Sequence, residues 1–287
     1  MKKSTLLHLR IPFSFFLLPV FLLALGVSDH VTPYPTLLAF LILHFMVYPA
    51  SNGYNSYFDK DEKSIGGLKK PPKVSKELYW VSLLFDGVGL ASGALISFDF
   101  VWMIFVYGLV SKAYSHPLIR LKKMPFIGWL AAGIFQGYFT FLLSYLAINE
   151  LAFAELWEAQ IQVPGILSSI LLLGSYPMTQ VYQHGEDEKR GDLTISRILG
   201  ILHTFHFTAI WFTFSTAGFV YYFRQYFALD TALLFLFALL PVLLFFGRWY
   251  FLVRKDRDMA DYKNTMNLNL ISSACLNAFF FYLYISH

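Results

Sequence analysis

A single cysteine, Cys275, stands in this chain of 287 residues, so neither a disulfide framework nor a cysteine-built metal site is available. Charge is scarce as well: 14% of the residues are Asp, Glu, Lys or Arg, against 57% hydrophobic and 19% aromatic, and the mean hydropathy is +0.54. That scarcity excludes a soluble domain of useful size. The net charge of +4 does not point to nucleic acid, because Lys and Arg sit in short breaks between apolar runs and not on one soluble face. Met1-Lys2-Lys3 precedes an apolar segment from Ile11, yet no small-x-small cleavage pattern follows, so a retained first helix is expected and not a signal peptide.

What remains is long apolar stretches. A hydrocarbon core of about 30 Å takes roughly 20 apolar residues per helix, and window hydropathy predicts nine spans: 11–27, 36–58, 79–97, 100–114, 126–148, 164–182, 198–223, 232–251 and 266–285. The fourth is the shortest. The expected fold is all-α, one integral membrane domain over residues 1–287. Nine crossings place 21 of the 22 Lys and Arg residues on one side, leaving only Arg224 on the other, where Asp29, Asp99, Glu150, Glu155, Glu158 and Asp230 fall. Positive charge stays inside, so the amino terminus is expected in the cytoplasm and the carboxyl terminus outside, in a cell (inner or plasma) membrane.

The polar constellations share that cytoplasmic side. Asn55 and Asp59 lie four residues apart, on one face at the end of the second span, and Glu62 extends that face by three. Such oxygens suit a hard divalent cation such as Mg²⁺, shared with substrate phosphates, which Lys69 and Lys70 are placed to neutralise. Gln183 and Asp187 repeat the spacing 128 positions later, at the end of the sixth span, followed by Arg190, Gly191 and Thr194. Two matched clusters four helices apart suggest related halves, and acidic groups at a membrane edge are costly without a purpose. Between them, the loop that begins at Tyr114 holds Arg120, Lys122 and Lys123 between Pro117 and Pro125, and reads equally as a cover for a diphosphate or as topology charge. His44, His203 and His206 read as hydrogen-bonded core residues. Asp86, among Leu84, Phe85, Val88 and Leu90, must find a partner or stay protonated.

This pattern resembles the UbiA superfamily of intramembrane prenyltransferases, whose motifs are approximately N-D-x-x-D-x-x-x-D and D-x-x-x-D-x-x-x-G-x-x-T. Asn55 and Asp59 match the first, with Lys70-Pro71 after it; Asp187, Gly191 and Thr194 match the second; Tyr114-Ser115-His116-Pro117 with Arg120-Leu121-Lys122 is similar to the family's intervening loop. Ser56, Lys63 and Gln183 depart from it, with Asp61, Glu62 and Glu186 as offset acids. The resemblance implies a bundle of about nine helices around a central, lipid-accessible cavity. It further implies Mg²⁺ held by Asn55, Asp59, Glu62, Gln183 and Asp187, with Asp59 and Asp187 catalytic. Lys69, Lys70, Tyr114, Arg120, Lys122 and Arg190 would bind the diphosphate of a polyprenyl donor, and Arg10 would lie on the side of a lipid-soluble acceptor. A transporter or lipid-phosphate carrier, or a family member that binds without catalysis, remains the alternative. The orientation is checked with fusions: alkaline phosphatase joined after Ile285 is expected to be active and the same reporter at Lys70 silent, and the reverse pattern would invert the topology.

Overall fold

The computed structural model describes residues 1–286 and contains no named β-strand among them; the one bridge pairs Ile65 with Leu68. Nine long helical segments follow one another among the described residues, with short 3₁₀ turns at Leu121–Lys123, Phe153–Glu155 and Arg257–Met259 in their connections. Helices α1 (Lys3–Gly26), α2 (Pro33–Asp59), α5 (Pro125–Asn149), α6 (Ala159–Arg190), α7 (Ile195–Tyr226), α8 (Leu229–Lys255) and α9 (Tyr262–Ser286) are long and apolar enough to cross a membrane. Helices α3 (Glu77–Gly93) and α4 (Phe98–Ser115), of 17 and 18 residues, are the shorter pair. At 1.5 Å per residue they reach only about 26–27 Å. Large apolar side chains such as Trp80, Phe98, Phe214 and Leu244 stay exposed around the bundle, as a lipid-facing surface requires.

Most of the distortions in these helices have local causes. Arg10 takes a left-handed conformation (φ 48°), and Pro12 follows, so α1 breaks into a 3₁₀ stretch over Ile11–Phe16. In α2 a π-helical turn, Leu43–Val47, comes just before Pro49, which has no N–H to donate to the preceding turn. In α6 Pro177 begins a 3₁₀ stretch over Tyr176–Gln183. Helix α7 kinks at Gly200, whose φ of 71° favours glycine.

Tight crossings hold the bundle. The π-turn Phe135–Phe139 of α5 leaves its ladder irregular, and Ser169 of α6 repairs it: the Ser169 hydroxyl accepts from the Tyr138 N–H at 2.8 Å and donates to the Gly133 carbonyl at 2.9 Å. Gly137 permits that approach, since a Cβ there would lie 2.6 Å from the Ser169 backbone. Gly137→Ala is therefore expected to destabilise by about 1–3 kcal/mol, read as a lower midpoint of thermal unfolding in detergent. Gly247→Ala, whose Cβ meets nothing within 4 Å, should leave it unchanged or raise it slightly.

Candidate functional site

The second helix ends in Tyr48-Pro-Ala-Ser-Asn-Gly-Tyr-Asn55-Ser-Tyr-Phe-Asp59, one turn separating the carboxamide from the carboxylate. Lys60 closes the helix in the left-handed region (φ 51°), and the chain turns away. This corrects one expectation: no helix continues past Asp59 to carry Glu62 onto the same face, and Glu62 is exposed, outside the cavity. Asp61 takes the place, lining the cavity beside Asn55 and Asp59. Lys63, Lys69 and Lys70 are likewise exposed and off its walls.

The sixth helix repeats the construction with a short extension. Gln183 lines the same cavity, its carboxamide donating to the Ser64 carbonyl at 3.4 Å, and Asp187 follows one turn later. Gly191, at φ 68°, ends this helix and lets Asp192 fold back, its N–H bonding the Asp187 carbonyl at 2.8 Å. Thr194 then caps α7, its hydroxyl accepting from the Arg197 N–H. The repeat is wider than the acidic motifs. Tyr48-Pro49 and Tyr54 recur as Tyr176-Pro177 and Tyr182, again 128 positions on, with Ser51 and Asn52 answered by Thr179 and Gln180. Both halves bend at the same proline and bring the same polar face inward.

The loop between α4 and α5 supplies the cations. Arg120, left-handed at φ 48°, forks onto Asp192 through two bonds of 2.9 Å and reaches Asp59 at 3.4 Å. Lys122, buried, bonds Asp59 and stands 3.3 Å from Asn55 Oδ1, which also accepts from the Ser115 hydroxyl at 2.7 Å. Arg190 of α6 closes the ring, bonding Asp61, Asp187 at 2.5 Å and Asp192 at 3.1 Å. Four carboxylates thus interlock with three cations. Arg197 adds a 2.5 Å bond to the Asp192 carbonyl. Asp192 is the hub at 1% exposure. Burial alone would push its carboxyl up, but the hydrogen bonds from Arg120 and Arg190 and the charges of Lys122 and Arg120 hold it below the usual carboxylate range.

Two further expected residues join the same wall. Arg10 donates to the carbonyls of Gly66 at 3.1 Å and Asn52 at 3.4 Å and lies over the Phe13 ring at 5.3 Å. Tyr114 is hydrogen-bonded to Tyr176. The walls enclose a cavity of about 230 Å³. Phe13, Asn52, Ala132, Gln136, Tyr176 and Thr179 are shared with a second cavity of about 340 Å³, mostly apolar, that descends between α1, α6, α7, α8 and α9. A charged chamber therefore opens onto a greasy one through a neutral neck.

No group of three or more His, Cys, Asp or Glu side chains among the described residues is arranged to hold a metal ion by itself. The donors present are all hard oxygens, and the place between Asn55 Oδ1 and Asp59 already holds a cation, the Lys122 ammonium. That chemistry fits Mg²⁺ sharing its shell with phosphate oxygens, since Mg²⁺ is commonly bound through one or two carboxylates plus phosphate. The other polar candidates lie elsewhere. Asp86 pairs with Lys112 at 2.5 Å; His44 is buried among Phe21, Phe40 and Tyr48; His206 bonds the Tyr250 hydroxyl; Glu186 pairs with Lys189. Asp61 and Asp192 are the two acids that spacing alone did not single out, although both lie beside a left-handed helix end in an acidic run.

The chain is similar in fold to solved membrane proteins over nearly its whole length. A homologue from Archaeoglobus fulgidus, bound to GPP and Mg²⁺, matches with a TM-score of 0.67 and 17% identity over 99% of this chain and 100% of that one. An apo homologue from Aeropyrum pernix gives 0.73 and 17% over 94% and 97%, and a digeranylgeranylglyceryl phosphate synthase 0.62 and 17% over 99% of each. No functionally curated protein matches the sequence. The sequence model of the UbiA prenyltransferase family matches residues 16–271, most of the chain, and with the paired acidic helix ends this places the protein in the UbiA prenyltransferase family.

Proposed function

We propose that this protein transfers a polyprenyl group from a polyprenyl diphosphate to a lipid-soluble acceptor, an aromatic or quinone precursor being one class, and releases pyrophosphate. The observation that carries this reading is the interlocked set of Asp59, Asp61, Asp187 and Asp192 with Arg120, Lys122 and Arg190, poised over an apolar cavity. A diphosphate fits the chamber and an isoprenoid chain the cavity below. The GPP and Mg²⁺ bound to the Archaeoglobus fulgidus homologue support the same donor class and cation.

Asn55 and Asp59 on one helix end, and Gln183 and Asp187 on the other, would hold Mg²⁺, which when bound supplies positive charge against the diphosphate oxygens. The protein's own cations do the rest. Lys122, Arg120 and Arg190 are each bonded to carboxylates that surround the chamber, so each exchanges part of that contact for a phosphate oxygen without leaving its place. As the bond between the allylic carbon and oxygen breaks, its electron pair stays with pyrophosphate, and those donors stabilise the growing charge. The acceptor then bonds the allylic carbon and gives up a proton. The neck of Asn52, Gln136, Tyr176 and Thr179 holds that carbon away from the carboxylates. The site chamber would face the cytoplasm, the side to which the positive loop charges assign it.

Purified protein with Mg²⁺, geranylgeranyl diphosphate and a lipid extract of its host is expected to release pyrophosphate. Asp59→Asn and Asp187→Asn should each lower that rate at least about 100-fold, the scale of losing one preorganised electrostatic contact. Unchanged rates in both, with the proteins inserted and folded, would remove the assignment. Lys122→Met should weaken binding of inorganic pyrophosphate about tenfold to a hundredfold, the worth of one charge-assisted bond, measured by calorimetric titration.

A further inference from the structure

One connection on the charged side of the bundle turns apolar groups outward. In the loop between α4 and α5, Leu118 is 88% and Ile119 55% exposed, while Arg120 and Lys122 reach inward to Asp59 and Asp192. The α2–α3 connection does the opposite, with Lys63, Lys69 and Lys70 exposed and Ile65 buried. Single apolar residues on a surface are ordinary. Three observations set this pair apart.

The first is the level at which the loop lies. Helix α4 has 18 residues, about 27 Å at 1.5 Å each, against a hydrocarbon core of about 30 Å. A helix that starts at one edge of the core therefore ends at or short of the other, and the turn that follows begins in the headgroup layer. Trp80, 69% exposed near the site end of α3, marks the same level, because exposed indoles gather at that interface. Rings connect it to the loop: Trp80 to Tyr79 at 5.2 Å, Tyr79 to Phe58 at 6.3 Å, and Phe58 to His116 at 5.3 Å.

The second is continuity. On α4 the exposed stripe is Trp102, Phe105 and Leu109, and on α5 it is Phe126, Ile127 and Leu130. Both stripes keep helical spacing and belong to the lipid-facing surface. The chain passes from one to the other through Leu118 and Ile119.

The third is the backbone. A turn enters an apolar layer only if its peptide groups are satisfied from within. Pro117 has no N–H to satisfy. The His116 N–H donates to the Lys112 carbonyl at 2.7 Å, and the Leu118 N–H to His116 Nδ1 at 3.3 Å. The Ile119 and Arg120 N–H groups both donate to the His116 carbonyl, at 3.1 and 2.8 Å. Every backbone donor from His116 to Arg120 is thus engaged inside the turn or by the end of α4.

We infer that Leu118 and Ile119 dip into the interfacial layer of the bilayer on the site side and anchor the α4–α5 loop in lipid. The turn then has two faces. Its apolar face meets the membrane, and its cationic face holds Asp59 and Asp192, with the left-handed Arg120 at the change of direction. The inference concerns where the loop sits, and it stands apart from the chemistry proposed for the chamber.

The test puts a nitroxide spin label on Leu118→Cys, and separately on Ile119→Cys, in the full-length protein with Cys275→Ser, reconstituted in vesicles of phosphatidylcholine and phosphatidylglycerol. Leu118 has little packing to lose, so the substitution leaves the fold intact. Collision with oxygen, which concentrates in lipid, is compared with collision with a nickel chelate, which stays in water. The oxygen-to-nickel ratio at 118 and 119 is expected severalfold above that of labelled Lys69→Cys, and below that of labelled Leu244→Cys on the lipid-facing side of α8. A ratio at both positions equal to that at 69 would place the loop in water and overturn the inference. Weak collision with both reagents would mean that a second copy or another protein covers the pair, and would overturn it equally.

Discussion

Charge at the edge of a membrane bundle has to be paired, and the pairing of Asp192 fixes the rest of this site. Asp192 takes a forked contact from Arg120, another from Arg190, and through its carbonyl a third from Arg197. Those contacts fasten the turn after α6 to the loop between α4 and α5. Arg120 and Lys122 then reach Asp59 at the end of α2, and Arg190 reaches Asp61 beyond it. One network therefore ties three inter-helix connections together, and removing a partner from it would leave an uncompensated buried charge. Because its neighbours hold the Asp192 carboxyl below the usual carboxylate value, it stays ionised through neutral and mildly acidic pH. Its contribution to stability is complete above that usual value and disappears only as pH falls through its own lower one.

The departures from the family pattern lose their force once placed in space. Lys63 is exposed, so it brings no positive charge into the chamber where the pattern has an acid. Ser56 is buried against its own helix surroundings and off the cavity wall. Gln183 keeps a carboxamide oxygen among the donors that line the same cavity as Asn55. Acid is restored by Asp61 and Asp192, which enter from the turns that follow each helix. The chamber thus remains rich in carboxylate, with a different distribution between helix ends and loops.

The helical bundle was legible because hydropathy is a property of long segments, and nine predicted spans correspond to nine helical segments, α3 and α4 being the two that fall short. The paired motifs were legible for the same reason that helices repeat every turn: Asn55 and Asp59, or Gln183 and Asp187, share a face wherever a helix forms. That rule fails one residue past the helix. Lys60 turns left-handed, so the spacing that pointed to Glu62 no longer applies and Asp61 faces inward instead. Asp192 was hidden similarly behind Gly191. The wider repeat of Tyr48-Pro49 and Tyr176-Pro177 was present in the residues and needed the shared bend to give it meaning, since a proline in a span has no fixed consequence until the turn before it is seen.

The division of the cavity explains why charge and chemistry coexist in so small a space. Every carboxylate of the chamber is engaged by Arg or Lys, and none lies at the neck, where Asn52, Gln136, Thr179 and Tyr176 present neutral groups. An allylic carbon that gains positive character there meets amide, hydroxyl and aromatic surfaces. A free carboxylate at that point would capture it as an ester, and water would capture it as an alcohol. In the proposed reaction the arginines that hold the carboxylates back would also receive the departing pyrophosphate, so leaving-group stabilisation and protection of the carbon would depend on one set of bonds. Below the neck the walls are mostly apolar, with Phe219 and Phe280 among them. The bundle therefore separates what must be charged from what must stay dry across a neck of shared, uncharged side chains.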